Sequence, residues 1–281
     1  MNESKSNRVK AVFAAIGILF VFLICSTVTG AVGGAIGGFF ANIKGLNVQE
    51  YVIGLIPKLT LIAEIISIIV FGIWYYLGYV KKDKKEGKYE SGFDKMKDLK
   101  TIIFLVFLTI GTHFFVCLIG DLVGHLISGS QEWLSEIMGL AIGDHDIAGY
   151  LTAMLFAPVA EELAFRGVML KKLKGGFGFI GCAVISTLMF GIMHLNPMQS
   201  IYVLPMGMMF ALVAYNYDSV IPAIIAHILN NCLGIILPSI TGRNTHSLES
   251  VVLFALFIIL AIFTRRKMPI FKSMKVIRRE L

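Results

Sequence analysis

The chain has 281 residues, 57% of them hydrophobic and only 15% charged, with a formal net charge of +7. A soluble domain carries about 25% charged residues, so this composition excludes an ordinary soluble fold and implies an integral membrane protein, a single all-helical bundle over residues 1–281. The basic excess lies beside hydrophobic runs, where it suits an anionic bilayer surface, and no nucleic-acid partner is implied.

Residues 1–10 are polar and basic, and a long apolar run follows. A cleavable signal peptide has an apolar core of about 7–15 residues, so the run reads as a retained first span. A span needs about 20 mostly apolar residues. On that basis about eight are expected, near 11–40, 56–80, 101–120, 147–170, 178–195, 200–216, 219–240 and 250–264. The first two, over 11–80, form an N-terminal transmembrane pair. Ala31-Val32-Gly33-Gly34-Ala35-Ile36-Gly37-Gly38 holds overlapping small-x-x-x-small pairs that let helix backbones approach closely, and packing within the chain is the plain expectation. Segment 121–146 mixes Leu, Ile and Trp133 with acidic residues and His, and reads as an amphipathic external helix or loop.

Charge alternates along the chain. Lys5, Arg8 and Lys10 precede the first span, Lys81 to Lys100 is lysine-rich, Arg166, Lys171, Lys172 and Lys174 end the fourth, and Arg265, Arg266 and Lys267 open a basic tail over 265–281. The alternate loops hold little beyond Lys44 and Arg243. The positive-inside rule then predicts a multi-pass protein of the cell membrane with both termini in the cytoplasm. The four cysteines, Cys25, Cys117, Cys182 and Cys232, lie singly in apolar runs and read as buried core residues, with no zinc-type spacing and no disulfide framework.

Three polar constellations stand out, because ionisable side chains inside a bilayer are costly and point to function. In the first, Glu162 and Arg166 are i,i+4 and can pair, which lowers the cost of burying either. Glu161 is turned about 100° away on a helix and is free to act as a general base. Pro158 can kink the same helix. In the second, Phe190 lies one turn before His194, and Asn196-Pro197 ends the helix. In the third, His227 and Asn231 share a face, an imidazole and an amide that could stabilise an oxyanion or clamp helices together. Glu64 and His113 are further intramembrane polar residues that could line a cavity, and Lys58 is expected to snorkel.

Together these residues suit amide hydrolysis by activated water, along either of two routes. Glu161 and His194 could activate water directly while His227 and Asn231 hold the oxyanion. Alternatively Glu161, His194 and His227 could bind Zn²⁺ as a cofactor that activates the water. There is no His-Glu-x-x-His. One tension concerns depth: Glu161 and His227 lie well inside their spans, whereas His194 ends its own, so convergence requires the fifth span to begin later, tilt or continue past His194.

The ordered set Glu161-Glu162-x-x-x-Arg166, Phe190-x-x-x-His194 and His227-x-x-x-Asn231 resembles the CAAX prenyl protease type II family, also called Abi or CPBP, over roughly 145–240. The resemblance implies an intramembrane endopeptidase in which Glu161 and His194 activate water, His227 and Asn231 complete the site, and Glu162, Arg166 and Phe190 support it. It implies a membrane-associated peptide or protein substrate, and, for bacterial members, roles in peptide maturation or bacteriocin self-immunity. A non-catalytic interaction or immunity protein on the same scaffold is the alternative, and a transporter is disfavoured by the absence of an inverted repeat.

Overall fold

The structure, a computed structural model, describes residues 2–143, 146–241 and 247–265. Among these residues the secondary structure is helical, with no strand. That is what a bilayer demands of an open chain, since only helices satisfy every backbone N–H and C=O within one segment.

Helix α1 (Asn2–Ile43) and helix α2 (Val48–Tyr75) form an antiparallel pair. The glycine stretch lies in their seam: a side chain at Gly33 would collide with Leu59, and one at Gly37 with Leu55. The small residues therefore serve packing within the chain. A π-helical turn, Tyr76–Val80, carries α2 on to Lys85. After the short α3 (Gly92–Lys95), helix α4 (Leu99–Leu126) is capped by Asp98, whose side chain accepts from the Lys100 N–H. The segment expected to be external, 121–146, is the end of α4 followed by α5 (Ser130–Ile142).

Helix α6 runs over 147–173 and changes register twice. It is π-helical over Thr152–Phe156 and Leu163–Met169, with an α-helical stretch, Ala157–Glu162, between. Then come α7 (Phe179–Met193), α8 (Pro197–Tyr202), α9 (Leu204–Tyr217), α10 (Ile221–Thr241) and α11 (Ser247–Arg265). The pair α1–α2 packs on one side of α6, and the pair α4–α11 packs against α10, so the motif-bearing helices α6, α7, α9 and α10 lie between two apolar pairs. The core is densest there: Phe165, Val168, Met169, Phe210 and Ala223 are buried completely.

Each expected span corresponds to a helix, or for 200–216 to α8 and α9 in succession. Five described helices are long and apolar enough to cross a membrane by themselves: Lys5–Ile43, Val48–Lys85, Leu99–Leu126, Ile221–Thr241 and Leu248–Arg265. The three others are the central ones. Charged residues interrupt α6, and α7 and α9 are short.

The basic segments gather at one end of the bundle. The backbone of Asn7 and Arg8 packs against Gly176, the Arg8 guanidinium lies 6.0 Å from the Phe177 ring, and Lys171 and Lys174 both reach Asp218 at 2.9 Å. Lys58 belongs to the opposite end, where it is mostly exposed and pairs with Asp146 at 3.6 Å. Arg243 and the tail beyond Arg265 lie outside the described residues.

Candidate active site

The first constellation sits between the two π-helical stretches of α6. Such insertions widen a helix by one residue per turn and often mark functional sites. Pro158 fits the first of them. The Ala157 N–H bonds to the carbonyl of Thr152, and the residue five positions after Ala153 is Pro158, which has no N–H to give. The Ala153 carbonyl is thus left without a partner in its own helix. It accepts instead from Asn231 Nδ2 on α10, at 2.9 Å.

Glu162 is fully buried and forms the hub. Its Oε1 accepts from Arg166 Nη1 at 3.0 Å and from His227 Nδ1 at 3.0 Å. Arg166 is equally buried. Its Nη2 donates to the Gly207 carbonyl at 2.9 Å, and its guanidinium lies over the Phe190 ring at 4.5 Å and near the Phe210 ring at 5.5 Å. Gly207 permits this approach: a Cβ there would stand 3.0 Å from Thr187 Cγ2, 3.2 Å from Phe190 Cδ1 and 3.3 Å from Arg166 Nη2. Two buried charges are tolerable at this depth only because each neutralises the other and has further hydrogen-bond partners.

These bonds fix the histidine tautomers. A carboxylate already held by arginine can only accept, so His227 donates through Nδ1, and its Nε2 is bare in the neutral ring. That Nε2 faces Glu161 Oε2 at 3.6 Å. Phe210 stacks on the His227 ring with centroids 4.4 Å apart. His194 caps α7, and its Nδ1 donates to the Phe190 carbonyl at 2.8 Å, which leaves its Nε2 bare as well. The Phe190 ring meets both histidines edge-on, at 5.0 Å from His194 and 5.9 Å from His227.

The structure thus brings Glu161, Glu162, Arg166, Phe190, His194 and His227 into one cluster drawn from α6, α7 and α10. Asn231 is one turn along from His227 and is held to α6 through Ala153. Two other amide contacts surround it: Asn230 Nδ2 donates to Asn231 Oδ1 at 3.0 Å, and Asn230 Oδ1 lies 2.9 Å from His113 Nδ1. Glu64, on α2, is buried, and among the described residues its Oε2 lacks a hydrogen-bond partner.

The depth tension at His194 is relieved without moving the helix boundary. Helix α7 has 15 residues, a length of about 22 Å, short of the roughly 30 Å hydrocarbon layer. It ends at Met193, directly before the partly buried His194. Leu195 takes a left-handed conformation with φ 53°, Asn196 caps α8, and α8 folds back so that Ser200 Oγ bonds the Gly191 carbonyl at 2.8 Å. A glycine at 191 is needed there, since a Cβ would lie 2.8 Å from the Ser200 carbonyl oxygen.

Several partners had no sequence signal. The Glu162–His227 bond joins residues 65 positions apart, and Gly207, Phe210 and Ala153 belong to no motif. Among the described residues no three His, Cys, Asp or Glu side chains form a group able to hold a metal ion. Glu161 and His227 supply a pair of donors.

Residues 144–233 match the family model described as Rce1-like, type II CAAX prenyl endopeptidase. All seven motif residues fall inside the matched span. No curated protein and no solved structure matches the chain.

Proposed function

We propose that the protein bearing this Rce1-like domain is an intramembrane endopeptidase that hydrolyses a peptide bond in a membrane-associated peptide or protein through water activated by Glu161. The matched family is one of endopeptidases, so the substrate class is a peptide or protein. The observation that carries the mechanism is the pair Glu161–His227, braced from behind by the buried Glu162–Arg166 ion pair. Glu161 Oε2 and His227 Nε2 are both acceptors when unprotonated, and they face each other at 3.6 Å, beyond direct hydrogen-bond distance.

A water molecule entering this cluster meets bare acceptors at Glu161 and at His194 Nε2. As its oxygen attacks the scissile carbonyl, Glu161 takes one proton. The carbonyl π electrons move to oxygen, and the oxyanion meets two groups on α10. His227 donates from Nε2 when protonated there, its imidazolium charge balanced by the oxyanion while Nδ1 keeps its bond to Glu162. Asn231 donates through the Nδ2 hydrogen not bound to Ala153. Collapse of the tetrahedral intermediate breaks the C–N bond, and the proton on Glu161 passes to the leaving amine.

Among the described residues Glu161 and His227 do not by themselves make a complete metal site, so no step of this reaction is routed through Zn²⁺. Metal analysis of active, chelator-treated protein separates the two routes. By the positive-inside rule, the end that gathers Arg8, Lys171 and Lys174 faces the cytoplasm of the cell membrane.

The test is cleavage of a fluorogenic peptide carrying a farnesylated CAAX terminus by purified protein in detergent. Glu161→Gln is expected to lower kcat by about 10³-fold or more with unchanged thermal unfolding, since it removes the base and keeps the shape. Full turnover by that variant refutes the role of Glu161. A non-catalytic interaction protein predicts no cleavage by either form.

A further inference from the structure

We propose that His113, on α4 and outside the matched domain, is a positioning residue for the reaction. It orients the Asn231 amide through Asn230. The inference rests on Asn231 serving the oxyanion, and it explains a buried histidine that the motifs leave unused.

The direction of every bond in the chain is fixed from one end. The Ala153 carbonyl can only accept, so Asn231 presents Nδ2 to it and Oδ1 to the other side. Asn231 Oδ1 must then accept from Asn230 Nδ2 at 3.0 Å, which places Asn230 Oδ1 toward His113. His113 Nδ1 therefore carries a hydrogen and donates at 2.9 Å. Its bare Nε2 lies 3.8 Å from Cys117 Sγ, a weak donor one turn along α4. No amide in this series can flip without placing donor against donor or acceptor against acceptor.

The consequence concerns Asn231. With Oδ1 held by Asn230 and one Nδ2 hydrogen held by Ala153, the second Nδ2 hydrogen has one direction left. An oxyanion donor is effective because it is oriented before charge develops. His113 is buried, 8% exposed, with its ring edge-on to Phe114 at 5.5 Å, so it is a fixed anchor for the series. Without it, Asn230 Oδ1 loses its donor and the Asn230 side chain is free to rotate away from Asn231.

The experiment compares His113→Leu, His113→Asn and Asn230→Asp on the farnesylated CAAX peptide. Asn places a donor at nearly the reach of Nδ1, and Asp at 230 can accept from His113 but gives nothing to Asn231. His113→Leu and Asn230→Asp are expected to lower kcat by about tenfold to a hundredfold. KM should stay within about twofold, because only transition-state binding is lost. His113→Asn should recover most of the rate. The double variant His113→Leu/Asn230→Asp should be no slower than Asn230→Asp alone. Wild-type kcat in folded His113→Leu, or a loss confined to KM, overturns the proposal. If His113→Leu does not fold, Asn230→Asp and His113→Asn carry the same test. If wild-type protein leaves the peptide uncut, the proposed function fails for this substrate, and thermal unfolding still decides the relay. The losses in Tm of His113→Leu and Asn231→Ala must then sum less than additively, and strict additivity overturns it.

Discussion

Two adjacent glutamates in α6 have opposite assignments because one helical step separates them. Glu162 points into the protein and binds Arg166 and His227 with a single oxygen, whereas Glu161 is partly accessible and faces the far nitrogen of His227. Removing Glu162 strands a buried guanidinium and leaves His227 Nδ1 without its acceptor. Glu162→Ala is therefore expected to cost about 3–5 kcal/mol, the usual penalty for breaking a buried ion pair by deleting one partner. The measurement is thermal unfolding in detergent beside Glu161→Gln, and equal Tm values for the two variants would contradict the division of roles. The pairing of Glu162 with Arg166 was readable from i,i+4 spacing. The bond to His227 was not, because nothing in a sequence reports which helix faces another across 65 residues.

At the scale of the element, α6 depends on what its own sequence cannot bond. Pro158 deprives the Ala153 carbonyl of a donor, and α10 supplies one from Asn231. A proline thus links helix irregularity to the placement of a side chain on another helix. Pro158→Ala restores an N–H that competes for the Ala153 carbonyl. It is expected to leave Tm nearly unchanged while lowering kcat about tenfold as Asn231 is released. Unaltered kcat would show that the carbonyl and the amide are not coupled. The register changes themselves were not legible, since a π turn differs from an α turn by one residue and leaves the apolar pattern almost intact.

For the whole molecule, two apolar helix pairs enclose a polar centre, and charge is sorted toward one end. Asp218 ties that end together. Its φ of 45° turns the chain between α9 and α10, and its carboxylate meets Lys171 and Lys174. Partial burial pushes its pKa up, but the two ammonium groups outweigh this and hold it at about 2. A folded pKa below the unfolded value of about 3.9 means a stabilisation that is present above pH 4 and lost as pH falls toward 2. The carboxylate is mostly exposed, so the effect is under about 1 kcal/mol. Asn tolerates the same left-handed backbone, so Asp218→Asn isolates the charge. Its Tm should lie below wild type at neutral pH and meet it as pH approaches 2; a constant gap would locate the effect in the turn geometry.

Composition by itself determined a helical membrane protein, since apolar runs of this length can satisfy their backbones in lipid only as helices. Motif order determined which residues to watch, and glycine spacing foretold close helix packing within the chain. The tertiary structure alone decided that α7 stops short so that His194 joins the polar cluster, and that both histidine tautomers leave Nε2 bare. It alone decided that Glu162 serves Arg166 and His227 together, and that His113 reaches Asn231 through Asn230. Periodicity reports the face of one helix, whereas a site is made by the meeting of several, and the distances and hydrogen-bond directions at that meeting exist only once the helices are packed.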